Sequence, residues 1–178
     1  VQYESDLVDN DKNYKIPFDI FQSLDQEEKL PKKMKKAMNK IKSHAPTASY
    51  TFYDENARRK YIERYYPRAI DAYNLLIPHA YKADLFRYIR LFVHGGIYFD
   101  SGFEPYNKNF KIFEHLIHPD DDLVLTNDLK TSGGGLYQGF LCSKPKNPVL
   151  HNTIELCIDN IINKRYFKPS NKIYKNTH

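Results

Sequence analysis

Alternating stretches of hydrophobic and polar positions predict a series of strands along the chain. The apolar run at 16–24 has a polar exit and predicts a first strand, and the short run at 50–53 predicts a second. Further strand patterns occur at 96–100, 122–126 and 136–142. The run at 96–100 is apolar on both faces, which is typical of a strand inside a covered parallel sheet. These runs predict one central sheet, with antiparallel pairing open for the later strands.

Helical spacing of apolar residues fills the segments between these strands. Asp54 is placed to cap a helix, and Gly95 ends another where left-handed backbone is required. Asn147 and Pro148 form the start of the last helix. The predicted helices are 29–42, 54–66, 68–76, 78–94 and the segment from 147 onwards.

The order strand, helix, strand, helix, helix, strand predicts an α/β fold with a mostly parallel central sheet flanked by helices. We find no internal repeat and no low-complexity linker in the 178 residues. We therefore expect a single domain over 1–178, whose first 14 residues are a loosely held polar lead-in.

The net charge of +5 is concentrated in 29–42, which reads KLPKKMKKAMNKIK. Leu30, Met34, Met38 and Ile41 recur at helical spacing there and predict an amphipathic helix with a lysine face. Such a face suits nucleic acid, an acidic membrane or a phosphorylated small molecule. Aromatic residues do not alternate with the lysines as base-stacking surfaces require, so we expect no nucleic-acid partner. A solvated helix face and peripheral membrane contact both stay open.

The two cysteines, Cys142 and Cys157, form no metal or disulfide pattern and are expected to be buried thiols. No run approaches the roughly 18 apolar residues of a membrane span, and no signal peptide is visible. We expect a cytoplasmic protein, or a membrane-associated or Golgi-lumenal one where an N-terminal anchor has been removed.

One helix and the strand after it concentrate the candidate chemistry. Asp84, Arg87 and Tyr88 lie on one helical face by their spacing. The pair at 95–96 allows a tight turn into the strand, which ends at Asp100, where open α/β sheets bind their ligands. A surface ion pair between Asp84 and Arg87, and a turn capped by Asp100, are the purely structural alternatives.

The block from Tyr81 to Asp100 reads YKADLFRYIRLFVHGGIYFD. It resembles the glycosyltransferases with a DXD sugar-binding region, which include initiating mannosyltransferases and capsular or virus-encoded sugar transferases. Their pattern is an aromatic residue, K/R-A/S-D-x-x-R-Y, and then G-G-I/V-Y-x-D-x-D. The similarity extends from Ile16 to the last helix, including FQS at 21–23 and GFLCSKPKNP at 139–148.

The resemblance implies a GT-A-like fold that binds a nucleotide-sugar donor. It implies transfer of a hexose from a UDP- or GDP-sugar to a glycan or other hydroxyl acceptor, with retention of configuration, as in polysaccharide biosynthesis. The implied catalytic residues are Asp84, Arg87 and Asp100. The implied donor-binding residues are Phe21, Gln22, Ser23, Tyr88, Gly96, Tyr98, Ser101 and Gln138. Relatives of this type continue beyond the last helix, so we expect a further C-terminal part of the site outside these residues.

The DXD motif also implies a divalent cation, Mn²⁺ or Mg²⁺, but here the motif reads Asp100-Ser101-Gly102. Glycine offers no carboxylate to a hard cation. Glu104 is one candidate replacement, and Asp100 holding the metal with water and phosphate oxygens is the other. The missing aspartate leaves two rival interpretations: a catalytically degenerate sugar-nucleotide-binding domain, and a basic adaptor that docks on anionic surfaces.

Overall fold

The computed structural model describes residues 14–25, 30–107, 111–128 and 135–165. Residues 1–13 of the predicted lead-in at 1–14, and the first residue of the lysine helix, Lys29, lie outside the described residues. The strands are β1 (Asp19–Ser23), β2 (Ser49–Tyr53), β3 (Gly96–Phe99), β4 (Leu123–Asn127) and β5 (Leu136–Ser143). The helices are α1 (Lys32–His44), α2 (Glu55–Tyr65), α3 (Ile70–Leu75), α4 (His79–His94), α5 (Ile112–Leu116) and α6 (Pro148–Ile162), with a 3₁₀ turn at Pro67–Ala69.

The five strands form one sheet in the order β2-β1-β3-β5-β4. β1 pairs in parallel with β2 and β3, whereas β5 pairs antiparallel with both β3 and β4. β4 therefore runs in the same direction as β1, β2 and β3, and β5 alone runs against them. The predicted α/β fold with a mostly parallel sheet is confirmed.

Helices cover both faces of the sheet and create two apolar layers. Phe21, Tyr98 and Leu141 belong to the layer under α2, α3, α4 and α6. Ile20 and Ile97 point the other way, into the layer under α1 and α5, because successive strand residues face opposite sides. None of the helices in the described ranges is long and apolar enough to cross a membrane.

Some element boundaries differ from the predicted ones. α1 continues through Ser43 to His44, and it stops at Ala45 because the residue before Pro46 is disfavoured in helical backbone. β1 begins at Asp19, three residues later than predicted, after Pro17, which has no N–H to donate to a ladder. The short helix α5 has no counterpart among the predicted elements.

The junction between α4 and β3 determines where the candidate residues lie. Gly95 and Gly96 have φ values of 70° and 98°, which disfavour any residue with a side chain. A Cβ atom on Gly96 would lie 2.3 Å from the carbonyl oxygen of Asp19 on β1. The tight turn folds α4 back along β3, so the start of α4 lies at the sheet edge where β1 to β4 end. We call this edge the carboxyl edge.

Candidate active site

Arg87 on α4 connects the candidate residues at the carboxyl edge. Its Nη2 forms an ion pair with Asp84, and its Nη1 donates to the carbonyl oxygen of Gln138. The same Nη1 lies 3.7 Å from Oδ1 of Asp100. The guanidinium carbon lies 4.6 Å from the centre of the Tyr98 ring, within the range of a cation–π contact. The Arg87 side chain is 7% exposed, against 43% for Asp84 and 48% for Asp100. A buried cation thus lies beside two carboxylates that face solvent.

Asp100 is held by its neighbours while keeping part of its carboxylate available. Its backbone N–H donates to Gly139 at 2.9 Å, and its carbonyl accepts from Nε2 of Gln22 at 2.9 Å. The Tyr98 hydroxyl donates to Oδ1 at 2.7 Å. Within the described residues, Oδ2 accepts no hydrogen bond, and it lies 2.8 Å from the position that a Cβ of Gly139 would take. One oxygen is therefore fixed and the other can accept from a ligand.

Opposing influences act on the pKa of the Asp84 carboxyl group. Burial is the largest influence on Asp84 and raises its pKa, while Arg87 lowers it and the charge of Asp100 raises it further. Burial also raises the pKa of the Tyr98 hydroxyl, so this group stays protonated and continues to donate to Asp100. When both acids are ionised, the one guanidinium and the two carboxylates together carry a net negative charge.

Arg87 has one hydrogen-bond donor without an acceptor. Its Nε is buried and forms no hydrogen bond, and in the described part of the chain the only other such buried side-chain atom is Oγ1 of Thr126. A buried polar group left without a partner costs roughly 1–3 kcal/mol. Such a group is unusual in a folded protein, and functional sites are one of the places where it occurs.

Tyr88 and Gln138, two further predicted donor-binding residues, lie beside Arg87. The Tyr88 hydroxyl donates to Oε1 of Gln138 at 2.6 Å, which joins α4 to the first residues of β5. Since β5 runs against β3, its first residues lie at the carboxyl edge. Burial raises the pKa of Tyr88, so its hydroxyl remains a donor at neutral pH.

The predicted donor-binding residues of β1 are buried and support the edge. Phe21 has no exposed surface and lies in the core. Gln22 bridges the Tyr50 hydroxyl, at 2.6 Å, to the carbonyl of Asp100. Ser23 accepts a hydrogen bond of 2.7 Å from Nη1 of Arg58. These side chains position the ends of β1 and β3 and do not line an open surface.

Gly96 and Ser101 differ in how close they lie to this cluster. Gly96 is the first residue of β3, at the opposite edge of the sheet, where it allows close approach to Asp19. The structure thus gives Gly96 a packing role and places it apart from the other candidates. Ser101 directly follows Asp100 and is 8% exposed.

Asp100 and Glu104, the two predicted metal ligands, differ in how free their carboxylates are. The Glu104 carboxylate lies 2.7 Å from Nζ of Lys40 on α1, and this pairing lowers its pKa. In the described ranges, no group of three or more His, Cys, Asp or Glu side chains forms a metal-binding cluster. Mg²⁺ is commonly held by one or two carboxylates together with substrate phosphates, and the open Oδ2 of Asp100 suits that arrangement.

Sequence reasoning missed Tyr137, which lies next to Asp100. A Cβ on Gly139 would lie 2.5 Å from Cζ and from the hydroxyl oxygen of Tyr137, so the phenol ring covers that glycine. Tyr137 is 40% exposed, and burial together with the charge of Asp100 raises its pKa. Strand alternation places 137 and 139 on one face, which is the signal that could have identified this tyrosine.

Arg58 on α2 was also missed. It has no exposed surface, and its Nη2 donates to Asp25 at 2.6 Å and its Nε to the Tyr73 hydroxyl at 3.2 Å. With its bond to Ser23, Arg58 fixes the segment where the chain leaves β1. Its helical spacing to Tyr61 and Ile62, both buried, was the available signal.

A sheet covered on both faces, with a polar cluster at the carboxyl ends of its parallel strands, is typical of α/β proteins, which bind their ligands where the strand order reverses. Residues 31–122 match the family described as glycosyltransferase sugar-binding region containing DXD motif. The match spans more than half of the 178 residues, and the chain belongs to this family of transferases. The resemblance seen in the sequence is confirmed.

A solved structure, PaToxG Glycosyltransferase, is similar in fold, with a TM-score of 0.62 and 17% sequence identity. The similarity covers 86% of this chain and 64% of that chain. At this identity the likeness shows the fold alone. A comparison with curated proteins found no match.

Proposed function

We propose that this chain transfers a hexose from a UDP- or GDP-sugar to a hydroxyl group of a glycan or similar acceptor. The observation that carries the proposal is the buried guanidinium of Arg87, which lies between Asp84 and Asp100 and retains a buried Nε donor without an acceptor. Family membership supports the same chemistry.

Arg87 is suited to stabilising the leaving group. As the bond between the sugar and the diphosphate breaks, negative charge accumulates on the diphosphate oxygens. A cation that is already fixed and largely shielded from water stabilises this charge without reorganisation. Asp84 holds the guanidinium through their ion pair, and the stacked Tyr98 ring limits its movement.

Asp100 is suited to orienting the donor sugar. Sugar hydroxyls donate hydrogen bonds, and the open Oδ2 of Asp100 accepts them. Asp100 would also hold Mn²⁺ or Mg²⁺ together with diphosphate oxygens and water. A bound cation supplies positive charge that neutralises the departing diphosphate. The Asp84, Arg87 and Asp100 side chains together carry a net negative charge, which would repel a diphosphate. This net charge supports binding of such a cation together with the donor.

Retention of anomeric configuration and a role in polysaccharide biosynthesis rest on the resemblance alone. The configuration of the product, read by NMR from the first turnover, tests the former. A cytoplasmic location likewise stays a prediction from the sequence.

A second candidate is a domain that binds sugar nucleotides without turnover. The position of Gly102 favours it, because the family pattern places the second acidic metal ligand there. A Cβ on Gly102 would have no heavy atom within 4 Å, so the position has room for a side chain. The variant Gly102→Asp can therefore restore the motif without strain in the surrounding packing.

The test is a titration of UDP- and GDP-sugars with and without Mn²⁺, following thermal shift and donor hydrolysis in parallel. Binding with hydrolysis supports the transferase. Binding without hydrolysis that Gly102→Asp converts into Mn²⁺-dependent hydrolysis supports the degenerate domain. No response to any donor, by a protein shown to be folded by circular dichroism, contradicts both. Asp100→Asn serves as the matched control and is expected to lose the Mn²⁺-dependent part of either signal.

A further inference from the structure

The outward face of α1 is strongly basic. It carries six lysines and no acidic residue within 13 positions. The inner side of the same helix is buried through Ala37, Met38 and Ile41. We call the six lysines the basic surface: Lys32, Lys33, Lys35, Lys36, Lys40 and Lys42.

Little in the described structure neutralises the basic surface. The one ion pair that it forms within the described ranges joins Lys40 to Glu104, at 2.7 Å. Lys42 lies over the Tyr50 ring at 4.2 Å. The lysines of the first two turns, which form no ion pair with any described residue, are Lys32, Lys33, Lys35 and Lys36. This part of the surface has charge available for a partner.

An exposed aromatic residue adjoins the basic surface. Tyr106 is fully exposed, in the segment that follows Asp100. That segment is held to α1 on both sides of Tyr106, by the pair between Glu104 and Lys40 and by a contact of 3.1 Å between Nε2 of His44 and the carbonyl of Asn107. Tyrosine has an apolar ring with a polar tip and is enriched where a membrane meets water.

We propose that the basic surface, together with Tyr106, docks on the anionic headgroups of a lipid membrane. The buried inner side of α1 is committed to the core, so the helix adsorbs by charge and does not insert an apolar face. Each lysine near an anionic leaflet strengthens binding by about fivefold. A nucleic-acid partner fits less well, because one tyrosine beside the lysines gives no series of stacking platforms.

Docking in this way is compatible with glycosyl transfer. α1 packs on one face of the sheet, whereas α4 with Arg87 packs on the other, so the two surfaces involve different helices. The proposal rests on the charge of α1 and stands independently of the proposed reaction.

The test is co-sedimentation with vesicles of phosphatidylcholine alone and of phosphatidylcholine mixed with phosphatidylserine. We expect binding to the mixed vesicles only, weakening as salt is raised, since the attraction is screened. The double variant Lys33→Glu with Lys36→Glu is expected to bind mixed vesicles at least about tenfold more weakly. Tyr106→Ala should lose a few-fold, and Glu104→Gln should gain, because it removes the acid that pairs with Lys40.

The matched control reverses two exposed lysines elsewhere, Lys60→Glu with Lys164→Glu, which changes the net charge equally. Equal binding to both vesicle types overturns the proposal, as does an equal loss in the control and the α1 variant. Tighter binding to single-stranded RNA than to mixed vesicles at the same salt also overturns it. Circular dichroism confirms that each variant is folded, and unchanged thermal shift by nucleotide sugars in the α1 variant separates this surface from the donor site.

Discussion

Helix α4 carries two buried arginines one turn apart, and they differ in how completely they are bound. Arg90 uses every nitrogen: Nε donates to the Tyr53 hydroxyl at 3.1 Å, Nη1 to the carbonyl of Gly95 at 3.0 Å, and Nη2 pairs with Asp19. Arg87 is equally buried, but its Nε lacks an acceptor among the described residues. Its carboxylate neighbours are about half exposed, whereas Asp19 is 24% exposed.

This difference separates a structural arginine from a candidate functional one. Arg90 closes the turn between α4 and β3 with all its hydrogen bonds made inside the protein. Arg58 resembles it, because its three nitrogens bond to Tyr73, Ser23 and Asp25. Arg87 alone of the three has a nitrogen that lacks an acceptor among the described residues, and burial by itself does not identify the site.

The largest expected effect is the loss of unfolding free energy when the charge of Arg90 or Arg87 is removed. Arg90→Met leaves Asp19 without its partner, and breaking a buried ion pair in this way costs about 3–5 kcal/mol of unfolding free energy. Arg87→Met should cost clearly less, because water can reach both of its carboxylate partners. Urea unfolding of the two variants measures this, and an equal loss in both would make Arg87 as structural as Arg90.

The second largest expected effect comes from replacing each arginine by lysine, which keeps the positive charge but removes the planar guanidinium. Arg87→Lys loses the planar guanidinium and its Nε donor, and we expect donor affinity to fall about tenfold or more, or roughly 1.4 kcal/mol. Arg90→Lys is the matched control, with lower melting temperature and unchanged affinity. Isothermal titration with the preferred donor measures both. The comparison fails if the control loses as much affinity as Arg87→Lys.

The pH dependence of stability gives a smaller effect. Because the pKa of Asp84 is raised by folding, the folded protein holds this proton more tightly than the unfolded chain does. Stability from this group is therefore present at low pH and is lost as pH rises from about 3.9 through the raised pKa. Asp84→Asn should flatten this slope while losing donor affinity. Melting curves measured across this pH range test the prediction. If the melting temperature of Asp84→Asn depends on pH as steeply as that of the original protein, Asp84 is not the group responsible.

The smallest effect concerns the glycine beneath Tyr137. Gly139→Ala places a methyl group against the Tyr137 phenol and Oδ2 of Asp100. The end of a flexible side chain can move aside, so we expect a stability change below about 1 kcal/mol and a few-fold change in donor affinity. Gly102→Ala, in open space, is the control. Equal donor affinity in both variants would show that the Tyr137 position does not matter to the donor.

The part of the site that could be predicted from sequence is the part fixed by local geometry. Helix periodicity places Asp84 and Arg87 on one face, and the glycine turn folds that face back towards Asp100. The antiparallel direction of β5 and its delivery of Gln138 to Arg87 depend on tertiary packing. The hydrogen bond between Arg58 and Ser23 joins residues 35 positions apart, so no local pattern reveals it.

The metal hypothesis shows the same limit. Glu104 is close to Asp100 in sequence, which made it a candidate ligand. In the structure Glu104 pairs with Lys40 on α1, 64 positions away. Proximity along the chain does not reveal this ion pair, because a loop residue also responds to charges that the fold brings near it from distant positions.

The most direct test of the account is where a bound donor protects the backbone from hydrogen exchange. With the preferred nucleotide sugar at saturation, we expect slower exchange in the first half of α4, around Asp100 and in the first residues of β5. Peptides around Asp19 and Gly95, which Arg90 holds, should be unchanged. Protection confined to α1 or to the Arg90 end, in a protein that binds the donor, would contradict the assignment of Arg87 and Asp100 to the donor site.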